Sequence, residues 1–254
     1  MPYFETSTYR LHYQWGTDFN PTLPTVILLH DGLGAIGSWR ILPQQIARAL
    51  NVNTLVYDRH GYGRSQPREA FEANFMEAEV VPLLELADHL KLARPFLAGH
   101  SDGGSIALLY AAWHPTRVSA VITEAAHTFV EPETQQGIRD LVALQRAGKT
   151  PSWLYKLHGE RADPVLRAWS DHWLGGVHAG WNIMAQLPQV SCPLLVIQGD
   201  SDEFGTQAQV DSITSRVAGA KSWIVPDCGH TPHSQMESAF LERLTGFFAP
   251  LLRV

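Results

Sequence analysis

Two cysteines, few charges and no long apolar run set the first limits on this 254-residue chain. Cys192 and Cys228 are too few for a disulfide framework, so a bridge-stapled fold is excluded and a reducing cytoplasm is expected. No apolar stretch approaches the ~18 residues that a membrane-spanning helix needs. The opening residues Met1-Pro2-Tyr3-Phe4-Glu5 lack the basic and apolar regions of a secretory signal. Charged residues are 17%, against a usual figure of about 25%. The net charge of −6 leaves no Lys/Arg surplus to neutralise phosphates, which argues against nucleic acid as the partner. Hydrophobic residues at 45% with little charge also argue against disorder.

What is present is an alternation of short β-rich runs with helical patterns, and no internal repeat. That rhythm reads as an α/β fold with a mostly parallel sheet. Strands are expected near 8–15, 26–30, 54–57, 95–98, 118–123, 193–198 and 221–225. Helices are expected over 38–50, with Ser38 as cap, and over 75–92, bent or split by Pro82. Others are expected over 102–113, 131–147, 164–174, 206–218 and 235–248. Residues 127–190 break the rhythm: they look helical and hold four of the eight tryptophans, Trp153, Trp169, Trp173 and Trp181. They read as a helical cap, or lid, inserted into a core formed by 1–126 and 191–254. The alternative is helices that only enlarge the core.

The chemistry concentrates at Gly99-His100-Ser101-Asp102-Gly103-Gly104, between an apolar strand and a small-residue helix. Gly-x-Ser-x-Gly in that context is a tight turn that lifts a serine above the sheet at a helix N-terminus. A serine hydroxyl needs a base. Cys228-Gly229-His230-Thr231-Pro232-His233, after the last strand, offers His230, with His233 as competitor. A metal reading of the two histidines lacks a third ligand nearby. The base needs a carboxylate to hold its tautomer. Gly199-Asp200-Ser201-Asp202-Glu203 supplies Asp202, then Asp200, then Glu203. A second oxyanion donor is expected from His30-Asp31-Gly32-Leu33-Gly34, at Gly32 or Leu33, with the Asp102 N–H as the other. The Asp102 carboxylate either favours the helix N-terminus or sets the local field.

With these pieces together, the sequence resembles the α/β-hydrolase superfamily over nearly its whole length. The matching parts are His30-Asp31-Gly32-Leu33-Gly34, Tyr57-Asp58-Arg59-His60-Gly61-Tyr62-Gly63-Arg64-Ser65, the serine turn, the acid loop and Gly229-His230. The resemblance implies eight strands in a mostly parallel sheet, a helical cap between strands six and seven, and no metal or organic cofactor. It also implies an acid three residues after the strand-ending glycine, which selects Asp202 after Gly199. In that fold the two thiols lie at opposite ends of the sheet. A five-residue strand spans ~17 Å, beyond the ~7 Å Cα limit for a disulfide.

The expected activity is hydrolysis of a small-molecule carboxylic ester or lactone by Ser101, Asp202 and His230. The alternatives are C–C bond hydrolysis, acyl transfer or perhydrolysis on the same triad, or a non-catalytic ligand-binding role. Aspartate-nucleophile chemistry is disfavoured, because Ser101 and not Asp102 has the flanking glycines at the right spacing. His127, Trp153 and Trp181 are candidate substrate contacts. An insertion of about sixty residues suggests limited room, hence small acyl chains.

Overall fold

The computed structural model describes residues 2–68, 70–176 and 178–253. Eight strands form one sheet in the order β1-β2-β4-β3-β5-β6-β7-β8. They are β1 (Tyr3–Glu5), β2 (Arg10–Trp15), β3 (Thr25–Leu29), β4 (Asn53–Asp58), β5 (Phe96–His100), β6 (Ala120–Glu124), β7 (Leu194–Gly199) and β8 (Lys221–Val225). The β1–β2 and β2–β4 pairs are antiparallel, and every later pair is parallel.

The middle strands are continuous apolar runs because helices cover both faces. In β3 the side chains alternate between two cores. Val26 and Leu28 pack with Trp39, Ile46, Phe240 and Phe248 on one face. Ile27 and Leu29 pack with Leu83, Leu86, Ile106 and Leu109 on the other. The first face is covered by α1 (Leu42–Leu50) and α10 (Glu237–Phe248). The second is covered by α3 (Val80–His89), α4 (Asp102–Trp113) and α8 (Gln207–Thr214). Helix α4 is buried from Asp102 to Ala112, as its small apolar sequence allows.

Prolines mark the breaks in three of the helical stretches, the one near Pro82 as expected. The 38–50 pattern splits into a short 3₁₀ turn, Ile36–Trp39, and α1, with Pro43 in the first turn of α1. Proline lacks an N–H and is tolerated only there. Ser38 is therefore not the cap; its Oγ accepts from Ala35 N–H instead. The 75–92 pattern splits at Glu79 into α2 (Phe75–Ala78) and α3, with Pro82 in the first turn of α3. The last helix is preceded by a separate turn, α9 (Pro232–Gln235), opened by Pro232. The other expected elements are present with ends shifted by a few residues, and β1 is additional. Cys192 and Cys228 are both free.

Between β6 and β7 the chain leaves the sheet and forms α5 (Pro132–Arg146), α6 (Ser152–His158) and α7 (Ala162–Leu174). A bridge between Phe129 and Asn182, and the Ile183 N–H on the Thr128 carbonyl (2.8 Å), tie the ends of this insertion together. Among the described residues, no helix is long and apolar enough to cross a membrane.

Candidate active site

The β5–α4 turn holds Ser101 at φ 53° and ψ −121°, a strained conformation for a residue with a side chain. Its glycines are required by their neighbours' backbones. A Cβ on Gly99 would lie 2.2 Å from the Gly103 carbonyl oxygen, and one on Gly103 would lie 2.2 Å from that of Leu29. The chain can make this turn against β3 only without side chains at those two positions.

The loops after β7 and β8 bring Asp202 and His230 together. His230 Nδ1 lies 2.8 Å from Asp202 Oδ1 and 3.0 Å from Oδ2. Donation from Nδ1–H to the carboxylate leaves Nε2 as the basic nitrogen. Asp202 is held in turn by the Phe204 N–H at 2.8 Å and by Gln198 Nε2. Burial pushes the Asp202 carboxyl up, but the His230 imidazole outweighs it and keeps it below the usual carboxylate value. The competing acids are occupied elsewhere. Asp200 accepts from the Ser201 hydroxyl at 2.9 Å, and Glu203 accepts from the His230 backbone N–H at 3.2 Å.

Ser101, Asp202 and His230 line one cavity of about 970 Å³, at the carboxyl ends of the parallel strands and beneath the insertion. That is the upper end of the range for small-molecule sites, roughly 300–1,000 Å³, so the insertion leaves more room than its length suggested. His127, Trp153, Trp169 and Trp173 also line it. Trp181 does not belong to that lining: its Nε1–H donates to Glu77 at 3.0 Å and its ring stacks on His178. It is an anchor for the insertion, not a substrate contact. His127 is buried, its ring 6.0 Å from that of His230, and its Nδ1 has no partner among the described residues. Burial, reinforced by His230, pushes its pKa down to about 3, so it is neutral.

The loop after β3 closes the site. Gly32 sits under Trp169 and beside Asp102; an added Cβ would fall 2.3 Å from the indole nitrogen. The Leu33 N–H is turned toward Asp31 Oδ2, at 3.4 Å.

The sequence matches the alpha/beta hydrolase fold family over residues 24–183. The chain belongs to that family. Among its relatives is the human serine hydrolase BPHL, 28% identical over 242 residues, which cover 91% of this chain and 80% of that one. Another is a proline iminopeptidase from Lactobacillus crispatus, 24% identical, covering 86% of this chain and 88% of that one. The fold also matches the enol-lactonase from Burkholderia xenovorans, with a TM-score of 0.75, 22% identity, and coverage of 97% and 99% of the two chains. The family match ends before β7, so the Asp202–His230 pairing rests on the geometry above.

Three buried groups of this alpha/beta hydrolase carried no readable role in the sequence. Arg59 is fully buried. Its Nη2 donates to the Asp31 carbonyl at 2.8 Å, and its backbone N–H donates to His30 Nε2 at 3.0 Å. It therefore pins the loop that carries Gly32. Its guanidinium also lies 3.6 Å from Asp102 Oδ2, which takes the Trp169 indole N–H at 3.4 Å. Burial raises the Asp102 carboxyl to about 6 despite Arg59. The motif Tyr57-Asp58-Arg59-His60-Gly61 marked this segment, but not what Arg59 holds.

The other two groups are Glu124 and His100. Glu124, at the end of β6, accepts from both the backbone N–H and Nδ1 of His233, at 2.7 and 2.9 Å. That pairing takes His233 out of the contest for the base. His100 Nε2 donates to the His230 carbonyl at 2.8 Å.

Linkage gives the Glu124–His233 pair a pH window. Burial alone would lower His233, but Glu124 outweighs it and raises the imidazole above its ordinary 6.5. That contribution is complete below 6.5 and fades as pH climbs through the raised value. Burial alone would raise Glu124, but His233 and His100 outweigh it and hold the carboxyl below its ordinary 4.5. That contribution is complete above 4.5 and fades as pH falls through the lowered value. Glu124→Gln should thus cost more unfolding free energy at about pH 5.5 than at about pH 8.5 in urea titrations. Equal losses at both would contradict the charged pair.

Proposed function

We propose that this chain is a serine hydrolase that cleaves a carboxylic ester or lactone through an acyl-enzyme on Ser101. The observation that carries the reading is the 2.8 Å His230–Asp202 contact, in one cavity with a serine held at φ 53°. Ser101 Oγ attacks the carbonyl carbon while His230 Nε2 takes its proton. Asp202 keeps the imidazole tautomer and stabilises the imidazolium. The N–H groups of Gly32 and Asp102 hold the developing oxyanion. Leu33 is the weaker donor, because its N–H already faces Asp31. His230 returns the proton to the leaving alcohol, and water activated by His230 then releases the acid. These steps use protein groups and water only. The insertion acts as a cap over the reaction, with His127 and Trp153 as substrate contacts. The names of the human serine hydrolase and the enol-lactonase support this class of chemistry.

The test is a substrate panel: p-nitrophenyl butyrate, a γ-lactone, and a prolyl p-nitroanilide. The reading expects the first two to be cleaved at least tenfold faster than the anilide (kcat/KM, about 1.4 kcal/mol). Preferential cleavage of the anilide would move the assignment to a peptidase. Asp202→Asn should lower kcat toward the ester by about 10⁴-fold, with the fold retained, because the imidazole is then held in the wrong tautomer. A loss of less than tenfold would remove Asp202 from the triad.

A further inference from the structure

We propose that the substrate carries an extended apolar arm on one side of the scissile bond, bound in a groove between α5 and α6. This inference rests on the hydrolase reading and adds the substrate class.

The groove follows from the spacing of the two helices. Gly137, Leu141 and Leu144 fall at i, i+4 and i+7 on α5 and line the cavity together. Trp153 and Leu157 fall at i and i+4 on α6 and line the same cavity. From Gly137 to Leu144 the helix rises about 10 Å, at ~1.5 Å per residue. Gly137 stands against Phe204, which itself packs on the His230 ring at 4.8 Å, so the inner end of this stripe lies beside the triad. At the outer end, Leu144 and Trp153 are each 42% exposed. Large apolar side chains at that exposure, on two helices that line the same cavity as Ser101, form a channel that runs from the reacting atoms to solvent.

Leu141 packs partly against the core, but Leu144, Trp153 and Leu157 belong to neither core. Helix α5 buries only Thr134, Gly137 and Ile138 completely. An apolar chain attached to the scissile carbonyl or its alcohol would cover that stripe and would be held by the same contacts. Arg40, Asp140 and Lys156 border the channel with both signs of charge, so no single-sign field there selects an ionic end group. Each methylene that enters such a channel should raise kcat/KM by roughly threefold or more, up to the length of the groove.

The experiment compares two ester series on the full chain. Alkanoate p-nitrophenyl esters from acetate to octanoate lengthen the acyl side. Alkyl acetates from ethyl to octyl lengthen the alcohol side. In one of the two series kcat/KM should rise at least about 100-fold from the shortest to the longest member. Leu144→Asp places a charge at the exposed end of the groove and should lower that long-to-short ratio at least tenfold. Leu141→Trp, which fills the groove by bulk instead of charge, should lower it as well. A ratio near one in both series, with the short esters still cleaved, would overturn the arm and leave the hydrolase reading standing. So would an unchanged ratio in both folded variants. Cleavage of no ester at all would overturn the hydrolase reading itself, and the arm with it.

Discussion

Ser101→Ala should lower kcat toward an activated ester by at least about 10⁴-fold while leaving the thermal midpoint within a degree or two of the parent. The two readouts separate because the serine hydroxyl contributes to chemistry and little to packing. Ser101 is the N-cap of α4 but makes no side-chain capping bond there. Its strained φ of 53° is imposed by the turn and is inherited by alanine. The remaining oxyanion donors and the cavity would give the variant only slow, water-mediated turnover. A variant that kept a tenth of the activity would remove Ser101 as nucleophile. A variant that lost activity together with its cooperative unfolding would test the fold instead. Steady-state kinetics and melting curves on the same preparation settle which has occurred.

Gly103→Ala should be severely destabilising. Its added Cβ would meet the Leu29 carbonyl oxygen at 2.2 Å and the Leu29 carbonyl carbon at 2.6 Å. Both belong to β3, which is hydrogen-bonded to β4 on one side and β5 on the other, so neither atom can retreat. Overpacking of this kind costs about 3 kcal/mol or more, which in a chain of this size is a fall in Tm of roughly 6–12 °C. Gly246→Ala is the matched control. It lies within α10 and its Cβ would meet nothing within 4 Å. Alanine there should be neutral or stabilising by up to about 1 kcal/mol. If the two variants melted together, the close passage of α4 over β3 would not constrain Gly103.

The contrast between these positions shows where a sequence speaks plainly. Gly99, Ser101 and Gly103 fall within five residues of one turn, and their spacing states the steric requirement directly. The helix that follows was readable to the residue, as Asp102–Trp113, because small apolar residues fill every face. The remaining helix starts were legible in principle. Pro43, Pro82 and Pro232 each mark a first turn; Pro82 already pointed to the break in 75–92, and the periodic pattern concealed the other two.

Long-range pairings were not legible. Glu124 and His233 are 109 residues apart, and nothing local to either names the other. Without that pairing, His233 stays a competitor to His230 for the base. Arg59 is similar, since a single arginine in a glycine-rich loop reads as a surface residue until its burial and its bonds to Asp31 and His30 are seen. Trp181 erred in the other direction. An aromatic in a cap-like segment suggested a pocket wall, and its bond to Glu77 places it behind that wall. The cavity's volume was the least accessible quantity, because it depends on how three helices of the insertion splay and not on how many residues they contain.

The central claim is a covalent acyl group on one serine. Rapid-quench mass spectrometry during turnover of p-nitrophenyl butyrate, followed by peptide mapping, tests it most directly. The account predicts a butyryl adduct on the peptide that contains Ser101, formed within the first turnover and absent from Ser101→Ala. Sustained ester turnover with no adduct at any quench time, and no labelling of Ser101 by a fluorophosphonate, would contradict it.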